Sequence, residues 1–502
     1  MPPLVEVLAR RPRLADALAL IAGAVLPLAF APIEWRILSI VAPAILFLVW
    51  LGATPKRAFW RGYLFGLGQF GVGVSWVYNS IHLFGNAVAP LAGIFTALFI
   101  AFLALYPAVT GWLLIRYVRR FSLDLPHTLL VLPFVWALYE WVRGWLFTGF
   151  PWLLLGHAQL DTWFAGYIPT LGTYGGSLAT AMAAAALVGV LVLTTGRRWS
   201  ALASLVVLLL AGVALSGVHW TTPAGRALEV SIIQPSIPQA EKWREKQFQP
   251  TLDLYEKLTR AHFGRDVIVW PESAIPSTYG RVAEGYLLPL AADAREHGTA
   301  LVTGIFVIEP DGTIYNSLVA LDGDVDVYHK RHLVPFGEYT PLRGILGWLD
   351  NFVTIPMSDL GSGTGRPLLD VDGYAVGASI CYEDAFGEEV IEALPEAAYL
   401  INVSNDAWFG DSLAPWQHLE LAQVRALETG RWMVRATNTG VSAVIDARGR
   451  IAAISPQFEP HVLNAEVQPY VGVTPYARWG NWPVVVVAVL VLGLLAGLRW
   501  KR

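Results

Sequence analysis

A single cysteine in 502 residues excludes an intrachain disulfide, so no covalent staple holds this fold together. Charge is scarce as well: 15% of the residues are Asp, Glu, Lys or Arg, against about 25% in ordinary soluble proteins. A net charge of -4 offers no footprint for nucleic acid or another polyanion. The chain also lacks a glycine-rich phosphate loop, a His/Cys cluster at metal-ligand spacing and any internal repeat, so neither a metal nor an organic cofactor is expected.

What remains is apolar. Hydrophobic residues make up 55% of the chain, with 21 tryptophans, which places it in a membrane. Helical crossings need about 17–25 apolar residues. Seven such runs precede residue 221, at roughly 14–31, 37–53, 62–81, 88–115, 128–146, 167–195 and 199–219, and an eighth covers Trp482 to Leu498. Arginine and lysine gather at Arg10, Arg11, Arg13, at Lys56, Arg57, Arg61, at Arg116, Arg119, Arg120, at Arg197, Arg198 and at Arg499, Lys501, Arg502. Every second loop is nearly free of them, Arg36 being the main exception, so both termini are expected in the cytoplasm and the long segment before the last span on the outer face. The expected domains are a seven-helix membrane unit (1–220), an outer domain (221–480) and a last span with a basic tail (481–502). Inside the spans, Glu140 and Arg143 stand one helical turn apart and are expected to pair.

The outer segment reads as α/β. Short apolar or β-branched runs bounded by Gly, Pro, Asp or Asn predict strands at Leu228–Ile233, Val267–Trp270, Ala300–Ile308, Ser317–Leu321, Tyr374–Ile380, Tyr399–Val403 and Val441–Asp446. Helices are predicted at Pro250–His262, Glu284–His297 and His418–Ala436. Glu272, Lys330 and Cys381 fall just past strand-like runs. A free cysteine is usually a small buried hydrophobe. Beside a carboxylate able to take its proton and an ammonium able to stabilise negative charge, it becomes a candidate nucleophile. His332 and His418 stand alone in the sequence and are assigned solvated or packing roles.

Three segments carry a resemblance: Trp270-Pro271-Glu272-Ser273, the run Lys330–Glu338 (KRHLVPFGE), and Cys381-Tyr382-Glu383. They resemble the nitrilase superfamily, whose members place a Glu-Lys-Cys triad on an αββα sandwich. With Tyr315-Asn316-Ser317, Ser404–Gly410 and the arrangement of spans, the whole chain is similar to the apolipoprotein N-acyltransferase family of the bacterial inner membrane. That resemblance implies eight membrane helices plus a nitrilase-like sandwich. It also implies acyl transfer from a phospholipid, through a thioester on Cys381, to the N-terminal amine of a diacylated apolipoprotein. Glu272 would be the base, Lys330 the oxyanion partner with a backbone N–H near Tyr382, Glu338 a second carboxylate, and Asn316, Tyr382 and Glu383 supports. Trp243 matches a tryptophan near the substrate entrance. The apolar stretch 345–353, with Trp348 and Phe352, is expected to dip into the membrane interface, and Trp408, Phe409 and Trp416 to line the acyl passage. A monomer is expected. Two other readings suit the same residues: a membrane-tethered amidase acting on a soluble substrate, and a transporter or scaffold with an inactive outer domain.

Overall fold

The computed structural model describes residues 2–347 and 359–500, and its chain divides into two compact units. The first comprises 1–78, 89–219 and 478–502. Its helices are α1 (Pro3–Arg10), α2 (Pro12–Val25), α3 (Leu38–Trp50), α4 (Pro55–Gly73), α5 (Ala89–Arg120), α6 (Leu125–Arg143), α7 (Tyr167–Val192) and α8 (Thr195–Ser216). A helix thus overlaps each of the first seven apolar runs. Among the described residues, five segments are long and apolar enough to cross a membrane: Pro12–Ala29, α5, α6, α7 and α8. On α8, Val206, Val207, Leu210 and Val213 are all exposed, a surface that suits hydrocarbon and not water. Close packing within the bundle uses small residues: a Cβ on Gly62 would lie 2.2 Å from the Pro107 carbonyl oxygen, and one on Gly66 2.6 Å from Ala104 Cα. Helices approach this closely only where side chains are missing.

Glu140 and Arg143 do not serve each other as expected. Glu140 Oε1 accepts from Trp136 Nε1 at 2.9 Å and from the Leu155 N–H at 3.0 Å, while Arg143 donates to the Phe150 and Trp152 carbonyls at 2.7 Å. Both charges therefore anchor the irregular 146–157 segment, whose backbone groups need partners inside an apolar unit.

The second unit comprises 79–88 and 220–477. Its first strands are β1 (Leu228–Gln234), β2 (Val267–Val269), β3 (Ala300–Ile308), β4 (Ile314–Asp322) and β5 (Asp324–His329). The chain then builds a second sheet from β6 (Leu368–Val371), β7 (Tyr374–Ile380), β8 (Tyr399–Ser404), β9 (Met433–Thr437), β10 (Ala443–Ile445) and β11 (Ile451–Ile454), and returns to the first as β12 (His461–Val467). The orders are β12-β1-β2-β3-β4-β5 and β11-β10-β9-β8-β7-β6. Strand alternation splits the apolar residues. Val230, Ile232, Val267, Val269 and Val302 meet Val376, Ala378, Ile380, Ile401 and Val403 between the sheets. Ile233, Ile268 and Leu301 face outward onto Leu252, Tyr255 and Leu290 of α9 (Glu245–Arg260) and α10 (Leu288–Glu296). On the opposite side Leu400, Met433 and Ile445 pack on Leu419, Ala422 and Ala426 of α11 (Ala414–Thr429). The layers are αββα. The final helix, α12 (Trp482–Trp500), belongs to the first unit and is an apolar helix of fewer than 18 suitable residues.

The helix predicted over His418–Ala436 is corrected: α11 stops at Thr429 and 433–437 is strand β9. Gly430 adopts φ 62°, a left-handed cap that ends the helix, and Met433–Thr437 pairs in parallel with β8.

Candidate active site

Glu272, Lys330 and Cys381 each follow the end of a strand, and the sandwich brings those ends together. Glu272 lies just past β2. Hydrogen bonds from Trp270 N to Val302 O and from Ala274 N to Gly304 O, both 2.8 Å, pin its turn to β3 on either side. Lys330 follows β5, with its N–H on the Asn316 carbonyl at 2.8 Å. Cys381 follows β7 at φ 53°, where the strand turns sharply into a short 3₁₀ helix, Cys381–Ala385. A non-glycine residue in that region stores about 1–3 kcal/mol of strain. Glu383 opposes it by accepting the Ile380 N–H at 2.7 Å.

The side chains form one buried network. Lys330 Nζ donates to Glu338 Oε1 at 2.8 Å and lies 3.7 Å from Glu272 Oε1. Asn316 Nδ2 bridges the two carboxylates, at 2.7 Å from Glu272 Oε1 and 3.3 Å from Glu338 Oε1. Glu338 Oε2 accepts the Val334 N–H at 2.8 Å, so this carboxylate both holds Lys330 and pins the Pro335-Phe336-Gly337 turn. Glu272 Oε2 is buried with no hydrogen-bond partner among the described residues, which leaves one basic lone pair for an incoming proton. Burial disfavours the charged ammonium, but Glu338 and Glu272, with Cys381, outweigh it and raise the Lys330 pKa. Lys330 therefore stays a cation. Burial, then the Glu272 charge, push the Cys381 thiol well above its ordinary range, with Lys330 acting against them. The resting sulfur is a thiol beside a carboxylate and a cation.

Two family models match the chain: the apolipoprotein N-acyltransferase N-terminal domain over residues 22–186 and the carbon-nitrogen hydrolase domain over 229–476. A protein of Methylococcus capsulatus named apolipoprotein N-acyltransferase is 46% identical over 488 residues, covering 97% of this chain and 96% of its own. The chain belongs to the apolipoprotein N-acyltransferase family. Relatives of the same name in Azotobacter vinelandii and Coxiella burnetii are 43% and 40% identical, covering 95% of this chain and 94% and 99% of their own. Among solved structures, a carbon-nitrogen hydrolase from Helicobacter pylori aligns at 18% identity over 52% of this chain and 94% of its own, with a TM-score of 0.37.

In this family member the supporting residues separate into distinct jobs. Glu383 is a clamp: besides Ile380 N it accepts the Arg331 N–H at 2.6 Å, the His332 N–H at 3.1 Å and the Tyr328 hydroxyl at 2.8 Å. It thus ties the lysine loop to the cysteine turn. Tyr382 packs edge-on against Phe386 and His332. Trp243 is half exposed, its ring 5.9 Å from Phe306. Trp408 meets Phe84 edge-on at 4.9 Å, and the Trp408 and Phe409 carbonyls accept from Ser80 Oγ and Asn79 Nδ2, both 2.9 Å. Trp416 is partly buried and packs beneath the second sheet with Leu419 and Val390. Trp348 and Phe352 lie outside the described residues.

Of the solvated or packing roles expected for His418, the structure excludes the solvated one. It is buried, with Nδ1 2.8 Å from Asp406 Oδ1 and Nε2 2.9 Å from Asp384 Oδ1 and 3.1 Å from the Cys381 carbonyl. Arg435 completes this cluster at 3.1 Å from Asp384 and 3.0 Å from Asp406. An arginine inside the apolar run Met433-Val434-Arg435-Ala436 was the available signal, since a strand buries such a charge only with partners. His332 is likewise engaged, on Glu389 at 2.7 Å and stacked on Phe386. Lys242 was missed altogether. It is buried with Nζ 3.4 Å from the Glu272 carbonyl, and burial lowers its pKa to about 8 against the pull of Glu272.

Proposed function

We propose that this chain transfers an acyl group from a membrane phospholipid to the N-terminal amine of a diacylated apolipoprotein, through a thioester on Cys381. The observation that carries the reading is the buried convergence of Glu272, Lys330 and Cys381 in a member of the apolipoprotein N-acyltransferase family. Glu272 takes the sulfur proton on its free Oε2 while the sulfur attacks the ester carbonyl. Lys330, with a backbone N–H near Tyr382, stabilises the oxyanion. Collapse expels the lysophospholipid oxygen, which leaves with the proton held by Glu272. The acceptor amine then attacks the thioester, Glu272 receives its proton, and the thiolate departs and is reprotonated. Ester and amine become alcohol and amide, and the enzyme is unchanged.

A thiolate leaves more readily than an alkoxide, which favours the second half-reaction. Both substrates are lipids, and the site serves them best if water is kept out. In this reading eight helices cross the inner membrane, with residues 1–220 and 481–502 forming the membrane part and 221–480 the catalytic domain on the outer face. Both termini are cytoplasmic and the protein works as a monomer. Trp243, Trp408 and Phe409 lie along the lipid's route to the sulfur.

Intact-protein mass analysis tests the first half directly. Purified protein incubated with phospholipid in detergent should gain one acyl chain, the gain should vanish in Cys381→Ala, and a diacylated lipopeptide should discharge it. A wild-type protein that gains no acyl group and modifies no lipopeptide removes the proposal.

A further inference from the structure

We propose that Ser404 is a second hydrogen-bond partner of the nucleophilic sulfur, its hydroxyl turning from Asp406 toward Cys381 when the sulfur becomes an anion. The strand register places it there. β7 and β8 run parallel with Ile380 opposite Val403, so Cys381 and Ser404 leave the sheet side by side. Ser404 is fully buried and donates to Asp406 Oδ1 at 2.9 Å, next to the turn that carries Cys381.

A serine hydroxyl has one proton and two lone pairs. While sulfur is a thiol, the hydroxyl proton goes to Asp406. Once Glu272 has taken the sulfur proton, the sulfur can only accept, and a rotation about Cβ–Oγ brings the serine proton to it. Ser404 neither gains nor loses a proton. Asp406 can release this bond because His418 Nδ1 at 2.8 Å and Arg435 Nη2 at 3.0 Å still hold its charge. The other groups facing the sulfur are charged: Glu272, Lys330 and Asp406, with His418, Asp384 and Arg435 behind its main chain. Ser404 is the neutral group among them, able to follow the sulfur's charge without adding one. The consequence for acyl transfer rests on the function proposed above, but the hydrogen bond can be tested without any lipid.

Because Cys381 is the only cysteine, iodoacetamide reports on it alone in the full-length, detergent-purified protein. In Ser404→Ala the thiolate loses a donor. A hydrogen bond to a charged group corresponds to roughly one pKa unit or more, so alkylation at pH 8.5 should slow about tenfold, with its rise displaced to higher pH. Ser404→Thr, which keeps the hydroxyl, should follow the wild-type profile. A folded Ser404→Ala that alkylates at the wild-type rate overturns the proposal, as does a folded Ser404→Thr that slows equally. A Ser404→Ala chain that fails to fold also overturns it, because a hydroxyl required to brace Asp406 at rest is not free to turn. Absence of acyl transfer in the wild type would remove the proposed function while leaving these rates able to judge Ser404.

Discussion

At neutral pH the Cys381 sulfur carries its proton, because burial and the adjacent Glu272 charge both oppose the thiolate. In the proposed reaction, attack therefore requires proton removal, and Glu272 Oε2, without a hydrogen-bond partner among the described residues, stands open to that proton. The residues behind the sulfur obey a different electrostatic rule. Burial and Arg435 work against charge on His418, yet Asp384 and Asp406 prevail and bring its pKa to about 9, above its ordinary 6.5. A raised folded-state pKa stabilises the fold fully below the unfolded value and loses that contribution as pH climbs through the folded one. The folded protein should therefore lose on the order of 3 kcal/mol between about pH 6.5 and 9. Asp406, held at about 2 despite burial by His418 and Arg435, protects the acid side until pH falls below the usual carboxylate range. Thermal melts across this window should show the alkaline decline in wild type and a flatter profile in His418→Gln, with a lower melting temperature at pH 6. An unchanged slope in the variant would show that the decline arises elsewhere. Glu272, Lys330 and Cys381 were legible from their neighbours in the chain. Ser404, His418 and Arg435 were not, since their importance lies in what three strands and a helix place opposite one another.

Strands reveal themselves through apolar alternation, and most of those around the site were readable for that reason. Short or half-exposed ones were not: Ile451–Ile454 is mostly exposed and offers little pattern. The α11–β9 boundary was misread because Gly430 is one residue in an otherwise continuous run of helix formers. Another glycine governs the turn that carries Glu272. On β3, a Cβ at Gly304 would lie 2.6 Å from both Glu272 Cα and the Pro271 carbonyl oxygen, and 3.0 Å from Ser273 N. All are backbone atoms, so the turn carrying Glu272 must move. Gly304→Ala is expected to cost about 1–3 kcal/mol of stability. Activity should fall at least about tenfold, because displacing a reacting group by about an ångström is felt strongly in catalysis. Transfer rates and melting temperatures measured on the same preparation check this, and a wild-type rate would show that β3 does not set the position of the base.

Over the whole chain, scarcity of charge announced a membrane protein, and the clustering of what charge there is predicts its orientation. Five segments of the first unit meet the length and composition needed to cross a bilayer. In a Cys381→Ala background no native cysteine remains, so single cysteines can report sidedness cleanly. A membrane-impermeant maleimide should label Lys246→Cys in intact cells, and Arg198→Cys only after permeabilisation, both positions being exposed. The reverse pattern would invert the orientation. One feature of the division into units had no herald in the sequence. Residues 79–88, lying between α4 and α5, fall with the second unit, where Asn79 and Ser80 cap the turn bearing Trp408 and Phe409.

By itself the sequence determined the class of molecule and the alternation of strands and helices, because both are encoded locally by composition and periodicity, while Glu272, Lys330 and Cys381 stood out through short contiguous motifs that resemble a known family. Tertiary structure alone decided what lies around Glu272 and Cys381: the bond from Ser404 to Asp406, the ion cluster of Asp384, His418 and Arg435, and the buried Lys242 on the Glu272 carbonyl. These partners lie up to 51 residues apart in the chain and meet only because neighbouring strands and the helix packed on them bring buried charges and hydroxyls together, where each must find a partner.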